Sequence, residues 1–169
     1  MAVVATVEAG RGARSRGATH VQLRRPGATG APLLDDARQL VAEARLPVLV
    51  SSRVDVALAA GAAGTHLPEH DLPVEAARRL LPGRLLGRSV HDLEAARDSA
   101  AEGADYLIFG PVFATPTHPG ARPVGLDALH EVASAVEVPV LAIGGVDVSR
   151  LSDCLAAGAA GYAAVRPFA

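Results

Sequence analysis

Short apolar runs alternate with amphipathic stretches along most of this 169-residue chain. Four segments share one pattern, in which a helix-like stretch ends at a glycine and an apolar run follows. They lie at residues 15–23, 59–67, 101–108 and 156–164. A glycine in that place can take the left-handed conformation that ends a helix before a tight turn. The pattern therefore predicts alternating helices and strands, which is an α/β fold.

The same pattern gives the order of the elements. It predicts helices over 2–15, 34–45, 53–60, 73–81, 92–102, 126–136 and from 147 or 149 to 157, and strands over 20–24, 47–51, 64–68, 84–90, 105–109, 138–143 and 161–166. Strands joined through right-handed helical crossovers form a parallel sheet in sequential order. Seven such units are one short of a (β/α)8 TIM barrel. We expect a single domain over 1–169 of that barrel type, lacking the first strand and the last helix. An open doubly wound sheet would need a reversal of strand order that no segment indicates.

Composition removes several classes of function. The net charge of −2 gives no electrostatic footprint for nucleic acid. The single Cys154 excludes an intramolecular disulfide and a cysteine-rich metal site. No apolar run approaches the roughly 18 residues that span a bilayer, and charged residues interrupt any secretory segment near the N-terminus. We expect a cytoplasmic protein without a membrane partner, and the unpaired edges of an incomplete barrel make a homo-oligomer possible.

Polar residues collect where the predicted strands end, which is where ligands bind in a parallel barrel. The long loop after the strand at 105–109 carries Thr115, Thr117 and His118, and an imidazole there can move a proton. The glycine pair at 144–145 lets backbone N–H groups approach an anion, and Arg166 follows the adjacent strand. These residues predict a phosphate site, against the alternative of a tight turn with a solvated arginine.

The successive strand-end blocks resemble the thiamine phosphate synthase/TenI superfamily. The blocks are Val21-Gln22-Leu23-Arg24, Arg53-Val54-Asp55, Gly64-Thr65-His66-Leu67, Gly87-Arg88-Ser89-Val90-His91, Gly103-Ala104-Asp105-Tyr106, Phe109-Gly110-Pro111-Val112-Phe113-Ala114-Thr115-Pro116-Thr117 and Ala142-Ile143-Gly144-Gly145. The resemblance implies a (β/α)8 barrel and one of two activities. The synthase joins a hydroxymethylpyrimidine diphosphate to a thiazole phosphate with Mg²⁺ and releases pyrophosphate. The TenI branch is a metal-independent thiazole tautomerase.

Strand-end position and the resemblance together give the candidate ligand-binding set. Its members are Gln22, Arg24, Ser51, His66, Ser89, Thr115, Thr117, Gly144, Gly145, Val165 and Arg166, with Asp71 as a metal ligand if the chain is a synthase.

The chain departs from both branches. Pro26 and His118 stand where the synthase pattern has lysines, and Ser51-Ser52 stands where that pattern has Asn-Asp, whose Asp helps to hold Mg²⁺. Pro111 stands where a tautomerase has its histidine. Losing cations and a metal carboxylate weakens neutralisation of a diphosphate leaving group.

We therefore expect a TenI-like protein that binds a thiazole phosphate as its small-molecule partner, without a cofactor. In that hypothesis, His118 transfers the proton and the glycine pair holds the phosphate with Arg166. Two alternatives stay open: a Mg²⁺-dependent thiamine phosphate synthase, and a non-catalytic binding or regulatory protein. Mg²⁺ dependence separates the two enzymes.

Overall fold

The fold is an eight-stranded parallel barrel with helices between the strands. It was obtained as a computed structural model that describes residues 1–28, 30–116 and 120–169. Within these residues one sheet runs in the order β1 to β8, every neighbouring pair being parallel. The strands are β1 (Ala2–Val4), β2 (Val21–Leu23), β3 (Val48–Ser51), β4 (Gly64–Leu67), β5 (Leu85–Val90), β6 (Tyr106–Phe109), β7 (Val140–Ala142) and β8 (Gly161–Tyr162). The predicted TIM-barrel class and the sequential strand order are thus confirmed.

Seven α-helices alternate with the described strands. They are α1 (Val7–Arg11), α2 (Gly30–Glu43), α3 (Val54–Ala59), α4 (Val74–Leu80), α5 (Leu93–Ala101), α6 (Gly125–Ala135) and α7 (Val148–Ala156), and a 3₁₀ helix, Arg166–Phe168, follows β8. Asp92 caps α5 by accepting from the backbone N–H of Ala95 at 2.8 Å, as its place before an apolar helix predicts.

The expectation of a missing first strand is wrong. Residues 2–4, which we assigned to a helix over 2–15, form β1 and pair with β2. All three are buried. Thr6 then caps α1, its hydroxyl accepting from the N–H of Ala9 at 3.2 Å. A three-residue apolar run has no periodicity that separates a strand from a helix, so the pattern failed here.

The barrel closes between its first and last strands. Ala2 forms a parallel bridge with Ala164. The N–H of Val3 donates to the carbonyl of Ala164 at 2.9 Å, and the N–H of Ala164 donates to the carbonyl of Met1 at 3.1 Å. The two open edges expected at 20–24 and 161–166 are therefore covered within the chain.

Alternate strand residues point into the barrel, as the two-residue period of a strand requires. Val3, Leu49, Tyr106, Ile108 and Ala163 pack together there. The other strand faces pack against the helices in two larger apolar clusters. Polar residues at the carboxyl ends of the strands are left facing a cavity above the interior cluster.

Candidate active site

A cavity of about 560 Å³ opens at the carboxyl ends of the strands. That volume suits a small-molecule ligand, for which pockets are typically about 300–1,000 Å³. Nine of the predicted ligand-binding residues line it: Gln22, Arg24, His66, Ser89, Thr115, Gly144, Gly145, Val165 and Arg166. The barrel therefore brings together residues that are up to 144 positions apart, from Gln22 to Arg166.

Four other predicted residues do not line the cavity or cannot be placed. Ser51 does not line the cavity but contacts Gln22, whose amide Nε2 donates to the Ser51 hydroxyl at 2.7 Å. The Asp71 carboxylate accepts from the N–H of Leu72 at 2.7 Å, on the loop between β4 and α4. Thr117 and His118, including the predicted proton-transfer residue, lie outside the described residues.

The cavity has an excess of positive charge. Among the described residues, its lining includes the guanidinium groups of Arg24, Arg122 and Arg166 and one carboxylate, Glu69. Three cations against one anion favour an anionic ligand, because charges act strongly in a partly desolvated site. Arg122 is part of the long loop after β6, and it was not in the candidate set predicted from the sequence.

The turn at residues 144–145 has two reasons to be glycine. Both residues have a positive φ, +88° for Gly144 and +65° for Gly145. A Cβ at Gly144 would lie 2.6 Å from the Cα of Pro111, and one at Gly145 would lie 2.6 Å from the carbonyl oxygen of Ala114. The pair therefore allows the turn and the long loop to pack closely.

The backbone of this turn is available to a ligand. Within the part of the chain that the structure describes, neither the Gly144 nor the Gly145 N–H makes a hydrogen bond. Unpaired N–H groups at a turn form a concave anion-binding surface. Arg150 holds the turn from outside, since its Nη1 donates to the carbonyl of Gly145 at 2.9 Å while its guanidinium lies 4.7 Å from the centre of the Phe113 ring.

The helix that follows does not add to this surface. Asp147 caps α7 and accepts from the N–H groups of Ser149 and Arg150 at 3.0 and 3.2 Å. A hydrogen bond from the Ser149 hydroxyl holds the pKa of the Asp147 carboxyl below its ordinary value. The N-terminus of α7 thus has its own anion, and any phosphate site rests on the glycine turn.

His66 is the buried histidine of the site. Its Nδ1 lies 3.1 Å from the hydroxyl of Tyr106 and its Nε2 lies 2.8 Å from the hydroxyl of Ser89. Burial, with the charges of Arg88 and Arg24, lowers the pKa of His66 to about 3, so its ring is neutral. Burial raises the pKa of Tyr106, whose phenol stays protonated.

A second histidine, His91, also lines the cavity, directly after β5. Its Nδ1–H donates to the carbonyl of Gly110, which fixes the proton on that nitrogen because a carbonyl cannot donate. Its Nε2 faces the Glu69 carboxylate at 3.7 Å.

One buried acceptor in the cavity wall has no partner. The amide oxygen of Gln22 makes no hydrogen bond within the described residues, although Gln22 is only 3% exposed. Leaving a buried acceptor unpaired is costly.

The described residues at the cavity offer one carboxylate and no cluster of protein ligands for a magnesium ion. Mg²⁺ in phosphate chemistry is generally held by one or two carboxylates together with substrate oxygens. Among the described residues no group of three or more His, Cys, Asp or Glu side chains could hold a metal. Glu69 lines the cavity and Asp71 does not, while the end of β3 offers the neutral Ser51 and Ser52.

Within the described chain, no helix is both long and apolar enough to cross a membrane.

Comparisons with known proteins agree with the fold and indicate the family. The sequence profile of the family described as thiamine monophosphate synthase matches residues 3–168. A thiamine-phosphate synthase from Chloroflexus aurantiacus is 44% identical over 153 residues, which cover 88% of this chain and 71% of that protein. One from Methanoculleus marisnigri is 45% identical over 158 residues, covering 90% of this chain and 75% of the relative.

A solved structure shares the architecture as well. The thiamine phosphate pyrophosphorylase of Pyrococcus furiosus superposes with a TM-score of 0.86 at 36% identity, over 97% of this chain and 83% of that one. A FabK mutant of Thermotoga maritima, at 16% identity and a TM-score of 0.82, shows the barrel fold alone. With a matching profile, relatives above 40% identity and a shared barrel, this chain belongs to the thiamine monophosphate synthase family.

Proposed function

We propose that this chain is a thiamine phosphate synthase, which joins a hydroxymethylpyrimidine diphosphate to a thiazole phosphate. The tautomerase that we expected from the sequence is less well supported, because the relatives reported above are named synthases.

The cavity's anion-binding character carries the proposal. Both substrates bring phosphate groups, and the cavity offers three arginines and the unpaired N–H groups of the glycine turn. A tautomerase would need to neutralise one phosphate and a carboxylate. A synthase must bind a diphosphate and a monophosphate at once, which better matches an excess of cations spread around the opening.

The reaction needs charge stabilisation more than proton transfer. The bond between the pyrimidine methylene carbon and the diphosphate oxygen breaks, and the oxygen leaves with the electron pair. The thiazole nitrogen then donates its lone pair to that carbon and becomes the cationic thiazolium nitrogen. Negative charge grows on the diphosphate, so fixed cations around it lower the barrier.

The chain's own residues divide between the two substrates in this proposal. The glycine turn and Arg166 hold the thiazole phosphate, while Arg24 and Arg122 face the diphosphate. Gln22, which lines the cavity, lies beside the pyrimidine. Because the described carboxylates do not form a metal site, we route no step through Mg²⁺.

A steady-state assay of the arginines tests the proposal. We expect Arg166→Ala to raise the KM for thiazole phosphate at least about tenfold, the usual scale for losing a charge-assisted hydrogen bond. Arg97→Ala is the matched control, since Arg97 is exposed on α5. Parallel arms with Mg²⁺ and with a chelator measure metal dependence. An unchanged KM in Arg166→Ala would remove this arginine from the site.

The same assay separates the second enzyme. Incubation with thiazole carboxylate phosphate alone would produce its aromatic isomer if the chain were a tautomerase. Formation of that isomer without any thiamine phosphate from the paired substrates would overturn the proposal.

A further inference from the structure

Three side chains form a hydrogen-bonded row from the barrel interior to the cavity. Tyr106 lies 3.1 Å from Nδ1 of His66, and Ser89 lies 2.8 Å from Nε2 of the same ring. Tyr106 and His66 are buried, at 7% and 2% exposure, whereas Ser89 is half-buried at the cavity wall. The row thus leads outward from a dry interior to the ligand space.

The sequence makes room for this row at Gly87. Gly87 pairs with both His66 and Tyr106 across neighbouring strands. A Cβ there would overlap the phenol ring and hydroxyl of Tyr106. The absent side chain is what lets the phenol lie across β5 and reach the imidazole on β4.

The direction of the row follows from counting donors. Burial keeps the pKa of His66 so low that the neutral ring has one N–H and one lone pair. If Nδ1 carried the proton, the Tyr106 hydroxyl would accept it, and the phenol's own proton would have no acceptor among the described residues. If Nε2 carries the proton, Tyr106 donates to Nδ1 and His66 donates to Ser89, so both buried donors of the row are satisfied.

We propose that Tyr106 is a positioning residue that holds His66 with its proton on Nε2, so that Ser89 points its own hydroxyl proton into the cavity. Ser89 then acts as a hydrogen-bond donor to an acceptor on the substrate, and in the proposed synthase that acceptor is a diphosphate oxygen. The choice of acceptor rests on the proposed function, whereas the direction of the row does not.

This arrangement also excludes another role for the pair. A serine beside a histidine can be a nucleophile when the imidazole lone pair takes the hydroxyl proton. Here Nε2 carries a proton and donates it to Ser89, so Nε2 has no lone pair to accept the serine hydroxyl proton. Ser89 is therefore not activated as a nucleophile and acts as an anion-recognition group.

Nuclear magnetic resonance of the whole chain tests the direction. With ¹⁵N-labelled histidine rings, proton–nitrogen correlations through two bonds identify the protonated nitrogen. We expect His66 to stay neutral with the proton on Nε2 between about pH 5 and pH 8. A proton on Nδ1, or a doubly protonated ring in that range, would overturn the proposal.

Two tyrosine variants test the positioning role. The sequence contains two tyrosines, and Tyr162→Phe, on β8, is the matched control for Tyr106→Phe. We expect Tyr106→Phe to shift the His66 Nδ1 resonance and to weaken binding of inorganic pyrophosphate about fivefold. We expect Ser89→Ala to bind pyrophosphate more weakly than Tyr106→Phe does. Tyr162→Phe should change neither. Unchanged pyrophosphate affinity in Tyr106→Phe beside a loss in Ser89→Ala would show that Tyr106 does not position the donor.

The outcomes separate this inference from the proposed function. A chain with the predicted His66 proton and Ser89-dependent pyrophosphate binding, but without thiamine phosphate formation, keeps the positioning role and loses the synthase. A chain that makes thiamine phosphate with the His66 proton on Nδ1 keeps the synthase and loses the positioning role.

Discussion

His66 shows how distant residues set the chemistry of one side chain. The sequence predicted its place at the end of a strand, because a Gly-Thr-His-Leu block resembles the family pattern. It could not predict a neutral ring held by two hydroxyls, since these come from Tyr106, 40 residues later, and Ser89, 23 residues later. That information appears only when neighbouring strands are in register.

The burial of His66 gives the fold a pH dependence. The folded-state pKa of about 3 lies below the ordinary value of 6.5, so the unfolded chain takes up a proton that the folded chain does not. Stability therefore rises with pH and is lost as the pH falls below about 6.5. From pH 7 to pH 5, we expect His66 to lower the free energy of unfolding by about 2 kcal/mol.

Urea unfolding at the two pH values measures this effect. His66→Gln removes the titrating group and should flatten the difference, whereas His130→Gln, at an exposed position on α6, should leave it intact. Equal pH slopes in the wild type and His66→Gln would contradict the assignment.

At the scale of the element, short strands and glycines decided what the sequence could predict. The repeated pattern of a helix, a glycine and an apolar run located β2 to β8 and the helices between them. It missed β1, where three apolar residues carry no period. The glycine pair was predicted as a turn, but its packing depends on Pro111, 33 residues before Gly144, and on Ala114, 31 residues before Gly145.

Gly64 sets the closest approach of β4 and β5. A Cβ at this position would lie 2.6 Å from the carbonyl carbon of Leu85, which is backbone and cannot move aside alone. We expect Gly64→Ala to destabilise the chain by about 1–3 kcal/mol, the typical cost of overpacking. Chemical denaturation measures it. Gly12→Ala is the control, because its φ is −76° and the nearest atom belongs to the flexible end of Arg16. Equal stability of the two variants would refute the close approach.

At the scale of the whole molecule, the barrel has one weak seam, which is the contact between β1 and Ala164 after β8. Register pairs link β4 to β5 at four positions, whereas β1 meets the segment after β8 through one bridge. This closure was not predicted from the sequence, because residues 2–4 were assigned to a helix and the strand containing Ala164 was left as an open edge. Local opening takes place where the fewest hydrogen bonds must break together.

Hydrogen exchange should therefore find the seam. The amides of Val3 and Ala164 close the barrel, and those of Leu85 and Leu107 join inner strands through bonds of 2.9 Å. We expect the first pair to exchange at least about tenfold faster than the second under native conditions. Equal protection would mean that the barrel opens as one cooperative unit, without a seam.

The most direct measurement is the product formed by the unmodified chain. It is incubated with hydroxymethylpyrimidine diphosphate and thiazole phosphate, and thiamine phosphate and pyrophosphate are quantified by chromatography. The account predicts both products in equal amounts, each accumulating with time. Folded protein that binds both substrates and forms neither product would contradict it.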